Sequence, residues 1–390
     1  MSPKKQELDV FLLLVQSSLW QEPSVVIPCD GIRWEVIWQL AYEQTVEVLV
    51  ATAIKRLPDN VMLLACQPQD PDEVICTSWM QHKRLNKKLH QVFDFLRQKN
   101  FAPVLLKGQG NAARYADPVM RQCGDIDVYI GPRDFERACQ CIGQLVGYDA
   151  VGICRVSNKH MHLNLSDNDI LELHRIAERM HMPWLDDHFQ QMSAEQLLPA
   201  NIERVSIGGH DIEVPPRSFN VLYVFNHLWH HLMLGGIGLR QLCDWCILLH
   251  EAYGTLDLPW LEAELRHLHL IRGWKIMGRI AVTRLGLSTT EMPFYTERYD
   301  AQSNLVWQQI MEGGNFGRHG GERNTYDRDK QYVLRKVKTF KIISRRFINN
   351  WRISPFDAFW SYFYLLNLGA KLVLKDLKRF IQRWRRETLK

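Results

Sequence analysis

Apolar positions in the first hundred residues recur at three- and four-residue spacing. The pattern is clearest in WEVIWQLAYEQTVEVLVATAIKRL (34–57) and from Trp79 to Leu96, and it predicts amphipathic helices. The period then changes. FAPVLL (101–106) is a short apolar run of strand character, Lys107-Gly108 breaks it, and NAARYA (111–116) returns to helical composition. Gly124 precedes DIDVYI (125–130), whose polar and apolar residues alternate as on a half-buried strand. RDFERACQCIGQLVGY (133–148) is amphipathic and follows Pro132, a residue that helix starts favour. HMHLNLS (160–166) and ILELHRI (170–176) alternate again on either side of a turn expected at SDND. Residues 101–176 thus read strand, helix, strand, helix, strand, strand. RVSIGGHDIEVPP (204–216) predicts a hairpin turned at Gly208-Gly209. Beyond Pro216 the pattern is helical through Leu287 and then looser, with five glycines in residues 312–330 before basic helices. Four parts are expected: a helical segment 1–100, an α/β core 101–216, a helical domain 217–311, and a Gly-rich loop with basic helices over 312–390.

Composition narrows the class. The 390 residues suit two or three domains, and 46% apolar with 23% charged is ordinary for a globular chain. No run reaches 18 apolar residues, so no bilayer span is expected. Glu7 and Asp9 interrupt the apolar core that a signal peptide would need, and the nine cysteines are an odd number; reduced thiols in a cytoplasmic protein are expected. A membrane channel, a disulfide-stapled secreted scaffold and a disordered chain are excluded on these grounds. The net charge of +5 divides unevenly: residues 328–390 carry 17 Lys/Arg against 4 Asp/Glu, a net of +13, and the first 327 residues a net of −8. An acidic body suits a carboxylate-rich, metal-dependent site. The tail, FDAFWSYFYLLNLGAKLVLKDLKRFIQRWRRETLK (356–390), is aromatic first and basic after. It can pack its aromatic half on the helical domain, grip RNA, or lie on an anionic membrane surface.

The candidate chemistry is concentrated in the core. Asp125 and Asp127 are two apart on a strand and share one face, with Cβ atoms roughly 6–7 Å apart. Two carboxylates aimed the same way repel unless a cation lies between them, and magnesium, a hard oxygen-seeking ion, is the natural one. A third carboxylate on a neighbouring strand would complete a two-metal clamp on a phosphoryl group. Glu172, alternating with Leu171 and Leu173, is the best candidate, ahead of Asp167 and Asp169 in the turn. Lys107-Gly108 at a strand–helix junction would let backbone N–H groups approach a triphosphate. Lys107 adds a point charge, and Arg121 can hold a phosphate bidentately or pair with Asp117 or Asp125. His160 and His162 alternate with apolar neighbours, and one of them can face the cleft. Cys243 and Cys246 have no second CxxC and read as core residues. His227 and His231 are spaced i, i+4 without the glutamate of a zinc protease, and Arg240 and Asp244 are spaced as a helix ion pair.

LLKGQGNAARYADPVMRQCGDIDVYI (105–130) closely resembles the signature of the uncharacterised nucleotidyltransferase family of the DNA polymerase β superfamily. The matching residues are Lys107-Gly108, Tyr115, Arg121 and Gly124-Asp125-Ile126-Asp127. Glu172-Leu173-His174 resembles the family's later glutamate-hydrophobic-histidine element, and His227, His230, His231, Arg240 and Asp244 resemble its histidine-rich helix and following Arg-x-x-x-Asp. The resemblance covers residues 30–290. It implies an α+β fold: a polymerase β-type core, a small mixed sheet with helices, flanked by N- and C-terminal helical regions. It also implies transfer of NMP from an NTP to an acceptor, a small molecule, protein or RNA, with release of pyrophosphate. Asp125, Asp127 and Glu172 would hold Mg²⁺ or Mn²⁺, with Glu172 on the catalytic ion; Lys107, Gly108, Tyr115 and Arg121 would bind the NTP; and His174, His227, His231, Arg240 and Asp244 would line the acceptor site. Two features depart from polymerase β-like enzymes at large: Lys-Gly replaces Gly-Ser in the phosphate turn, and Asp125 lies 17 residues after Gly108, a longer spacing. The alternative is a nucleotide-binding or scaffolding protein that keeps the fold without turnover. The direction of Glu172 relative to Asp125 and Asp127 separates the two.

Overall fold

A computed structural model describes residues 3–22, 26–27, 31–146, 155–157, 159–165, 169–180, 182–315 and 332–388. The helices α1 (Lys5–Leu19), α2 (Trp34–Gln44), α3 (Glu47–Ile54), α4 (Asp59–Ala65) and α5 (Pro71–Gln98) come first. The core follows as β1 (Val104–Leu105), α6 (Gln109–Ala112), β2 (Asp125–Tyr129), α7 (Phe135–Val146), β3 (Arg155–Val156), β4 (His160–Asn164) and β5 (Ile170–His174). Then come α8 (Pro183–Gln196), β6 (Glu203–Ile207), β7 (His210–Val214), α9 (Arg217–Leu234), α10 (Leu239–Glu251), α11 (Leu258–His267), α12 (Ile271–Leu285) and α13 (Asp300–Gly313). The chain closes with α14 (Tyr332–Ile353) and α15 (Pro355–Thr388). The fold is α+β.

Helix limits follow local chemistry. The longest N-terminal helix, α5, opens with Pro71 at its first position, where no N–H is needed, and the Asp70 carboxylate accepts from Asp72 N at 2.9 Å. α12 stops at Gly286, which takes φ +74°. Some expected elements are shorter than their composition suggests. The 101–106 run gives only a two-residue strand, although Leu106 N still donates to Asp127 O at 2.9 Å, and 111–116 gives one helical turn that ends at Ala112. α8 and β3 carry no clear periodicity and were not predicted. The hairpin at Gly208-Gly209 forms as expected, both glycines having positive φ. Of the SDND turn, residues 166–168 lie outside the described residues, as do residues 316–331 of the glycine-rich stretch.

The five strands of the main sheet lie in the order β1-β2-β5-β4-β3. β2 and β5 are parallel, and every other pair is antiparallel. Because strand side chains alternate, this register sorts the sheet into two faces. Ile126, Val128, Leu171, Leu173, Met161 and Leu163 go to one face and into a core with Leu85, Leu89, Val92, Phe93 and Leu96 of α5. Asp125, Asp127, Glu172, His174, His160 and His162 go to the other. A second core joins α1–α3 to α9, α10, α12 and α13. Within 1–100 the first helices pack with the later helical layer, while α5 bridges the two cores: Val74 and Ile75 near its start lie against that layer and its later turns cover the sheet. Hydrogen bonds tie that layer together. Trp20 Nε1 donates to Leu285 O, and Gln44 donates to Ile310 O at 3.0 Å while accepting from Leu239 N at 2.9 Å. Phe356 and Trp360 at the start of α15 pack against the same layer, with the Trp360 ring edge-on to Trp184 at 4.9 Å. Among the described residues no helix is long and apolar enough to cross a membrane.

Candidate active site

The polar face of the sheet and the helix pair α9–α10 face each other across a cleft. Lys107, Gly108, Asn111, Gly124, Asp125 and Asp127 line one wall, and Val224, His227, Leu228, Arg240 and Gln241 the other. The parallel pairing of β2 with β5 sets Glu172 directly beside Asp127. As a result, Asp125, Asp127 and Glu172 each present a carboxylate oxygen, all within 4.8 Å of one another. Glu172 thus turns toward the two aspartates.

The charge balance of this set is specific. Asp127 is 2% exposed and is held by Lys107 Nζ at 3.1 Å and His174 Nε2 at 3.0 Å. Burial pushes its carboxyl up, but Lys107 and His174 outweigh burial and hold it well below the usual range. Among the described residues Asp125 makes no ion pair of this kind, though the Lys107 and Arg240 charges act on it. The charge of Asp127, aided by burial, raises its carboxyl. Glu172 is opposed by burial, but its hydrogen bond from His174, 3.4 Å away, holds it at about 2. Burial lowers His174, and its contacts with Asp127 and Glu172 more than restore it. Three oxygens and a raised Asp125 carboxyl form a hard, under-neutralised set that fits a divalent ion, which the acidic cluster could hold.

Gly108 follows Lys107 with φ +61° and ψ −120°, the angles of the first central residue of a type II′ turn, and Gly110 N donates to Lys107 O at 3.1 Å. A Cβ on Gly108 would lie 2.9 Å from Asp125 O. Glycine here serves the packing of the turn on β2 as well as any approach by a phosphate.

Other residues named from the sequence have different neighbours. Arg121 reaches neither Asp117 nor Asp125; its guanidinium donates bidentately to Asp244 at 2.8 Å on both arms. Tyr115 Oη donates to the same carboxylate at 2.9 Å. Tyr115, Arg121 and Asp244 therefore form a buried clamp between the core and α10. Arg240 does not pair with Asp244: its Nη1 donates to Gln122 O at 2.7 Å, and its buried Nε has no hydrogen-bond partner among the described residues. Burial, and then the nearby Arg121 charge, lower its guanidinium. His227 Nδ1 lies 2.6 Å from Glu178, a residue sequence reasoning missed because it sits in a loop without periodicity. Lys159 and His227 hold Glu178 well below the usual range despite its burial. Burial and Lys107 push His227 down to about 4, so it is neutral at pH 7, with Nδ1–H donated to Glu178. His231 stands against His227, ring centroids 4.5 Å apart, and burial pushes it down to about 2. Asp169 is taken by Arg84 and Lys88, away from the cleft, and Asp167 lies outside the described residues. Cys243 and Cys246 are buried core thiols.

The sequence profile of the family described as "Uncharacterised nucleotidyltransferase" matches residues 30–286. Searches of curated proteins and of solved structures gave no match. The profile spans the helical lead-in, the whole sheet with its carboxylates, and α9–α12, so the chain belongs to the uncharacterised nucleotidyltransferase family.

Proposed function

We propose that the protein transfers a nucleoside monophosphate from an NTP to an acceptor hydroxyl or phosphate, releasing pyrophosphate, with Mg²⁺ or Mn²⁺ held by Asp125, Asp127 and Glu172. The observation that carries this reading is the convergence of those three carboxylates from two parallel strands, two of them lining the cleft. A divalent ion bound there supplies charge neutralisation at the phosphoryl oxygens and acidifies the attacking group. The chain's own residues supply the rest. Lys107, kept charged by Asp127 against its burial, offers a point charge beside the carboxylates. A phosphate oxygen would satisfy the orphaned Nε of Arg240 on the opposite wall. Glu178 fixes His227 so that Nε2 is the nitrogen left to receive a proton from an acceptor hydroxyl. Asp244 neutralises Arg121, and the pair, which also lines the cleft, holds the two walls together.

The second reading, a nucleotide-binding protein without turnover, draws on the neutralisation of Asp127 by Lys107 and His174. One experiment separates them. The protein is incubated with each NTP labelled at the α-phosphate, Mg²⁺ or Mn²⁺, and cell lysate as acceptor, beside the Asp125→Ala/Asp127→Ala variant. Label entering an RNA, protein or small-molecule fraction only with the wild type supports transfer and names the acceptor class. NTP binding by calorimetry without label transfer supports the silent reading. Absence of both overturns each.

A further inference from the structure

Next to the carboxylate set, imidazoles close on the same glutamate. His162 pairs with Glu172, and His160 with His174, across β4 and β5, so all four side chains share the polar face of the sheet. His160 Nε2 lies 3.7 Å and His162 Nδ1 3.4 Å from Glu172 Oε1, and His174 Nε2 lies 3.4 Å from Oε2. These lengths are long for charge-assisted hydrogen bonds, which close to about 2.8 Å. Such long contacts are also near the spacing of donors around one ion: donors each about 2.1 Å from a tetrahedral centre stand ~3.4 Å apart. His160, Glu172 and His174 each offer one ligand atom, and all three atoms lie within 4.8 Å of one another. A set with two imidazoles and one carboxylate is too rich in nitrogen for magnesium and suits borderline ions.

We propose that His160, Glu172 and His174 form a second metal site, which takes a divalent ion of the zinc class and is joined to the carboxylate set through Glu172. Three protein ligands leave a position open for water or a substrate oxygen. His174 Nε2 also contacts Asp127, so a metal bound through that nitrogen takes the contact away from Asp127. The site rests on strand register and side-chain spacing and does not depend on nucleotidyl transfer.

The test is a Co²⁺ titration of the full chain followed by visible absorption, in which a nitrogen-containing site of low coordination number gives a much stronger band than all-oxygen octahedral ligation. The wild type is expected to show the band and to lose it on adding Zn²⁺. His160→Gln, at a partly exposed position, should bind Co²⁺ more weakly by at least the roughly tenfold to hundredfold that loss of a group merely orienting a ligand costs. Asp125→Asn should keep the band. Thermal melting of both variants confirms that they are folded. A wild type without the band, a His160→Gln variant that binds like the wild type, or a band lost in Asp125→Asn but kept in His160→Gln would each overturn the proposal. Calorimetry of NTP with Mg²⁺ on the same proteins reads the carboxylate site separately, so either site can fail while the other stands.

Discussion

Gly108 holds a backbone conformation that side chains disfavour, and it does so in contact with the first carboxylate strand. Gly108→Ala would force a Cβ to 2.9 Å from Asp125 O at φ +61°. We expect a loss of about 1–3 kcal/mol, read from urea unfolding. Because the displaced neighbour is the backbone of Asp125, NTP binding should weaken in the same variant. A second prediction concerns the clamp. Asp244→Asn leaves the Arg121 guanidinium, 7% exposed, without its counter-charge and should cost about 3–5 kcal/mol in urea unfolding. Tyr115→Phe, which removes only one donor to that carboxylate, should cost about 1 kcal/mol. At this scale the sequence was legible in part. The shared face of Asp125 and Asp127 follows from strand geometry over three residues. The partner of Arg121 lies 123 positions away on a helix, and no local pattern marks it.

At the scale of elements, packing constrains as tightly as chemistry. Leu85, Leu89, Val92, Phe93 and Leu96 recur at helical spacing on α5 and close the apolar face of the sheet. This helical stripe was readable from the sequence, as was the alternation of β2, β4 and β5. The order of the strands was not, because pairing partners are chosen by tertiary contact. Where α12 crosses α9, Gly273 lets the Trp229 ring approach so closely that an added Cβ would lie 2.6 Å from it. Gly273→Ala is expected to lower stability by about 1–3 kcal/mol through overpacking, with a matching fall in melting temperature.

On the scale of the whole molecule, the cleft exists because two cores meet. One holds the sheet with α5, and the other holds the first and later helices together. His227 stands on the wall that the second core supplies, and its folded value of about 4 against 6.5 gives a signed pH dependence. The unfolded chain takes up this proton first as pH falls, so stability is full above about 6.5 and is lost toward 4. Between pH 7 and pH 5 this residue should contribute a loss of roughly 2 kcal/mol, and His227→Gln should flatten the urea midpoint profile by that share. By itself the sequence determined the helical and strand periods, the paired aspartates, the Lys-Gly turn and the family, all of which depend on residues close together along the chain. Only the tertiary structure decided that Glu172 stands beside Asp127, that Arg121 serves Asp244, that Glu178 holds His227, and that three imidazoles gather at Glu172. Those facts depend on strand order and helix docking, which are set by the burial of apolar faces far apart in sequence and leave no spacing to read.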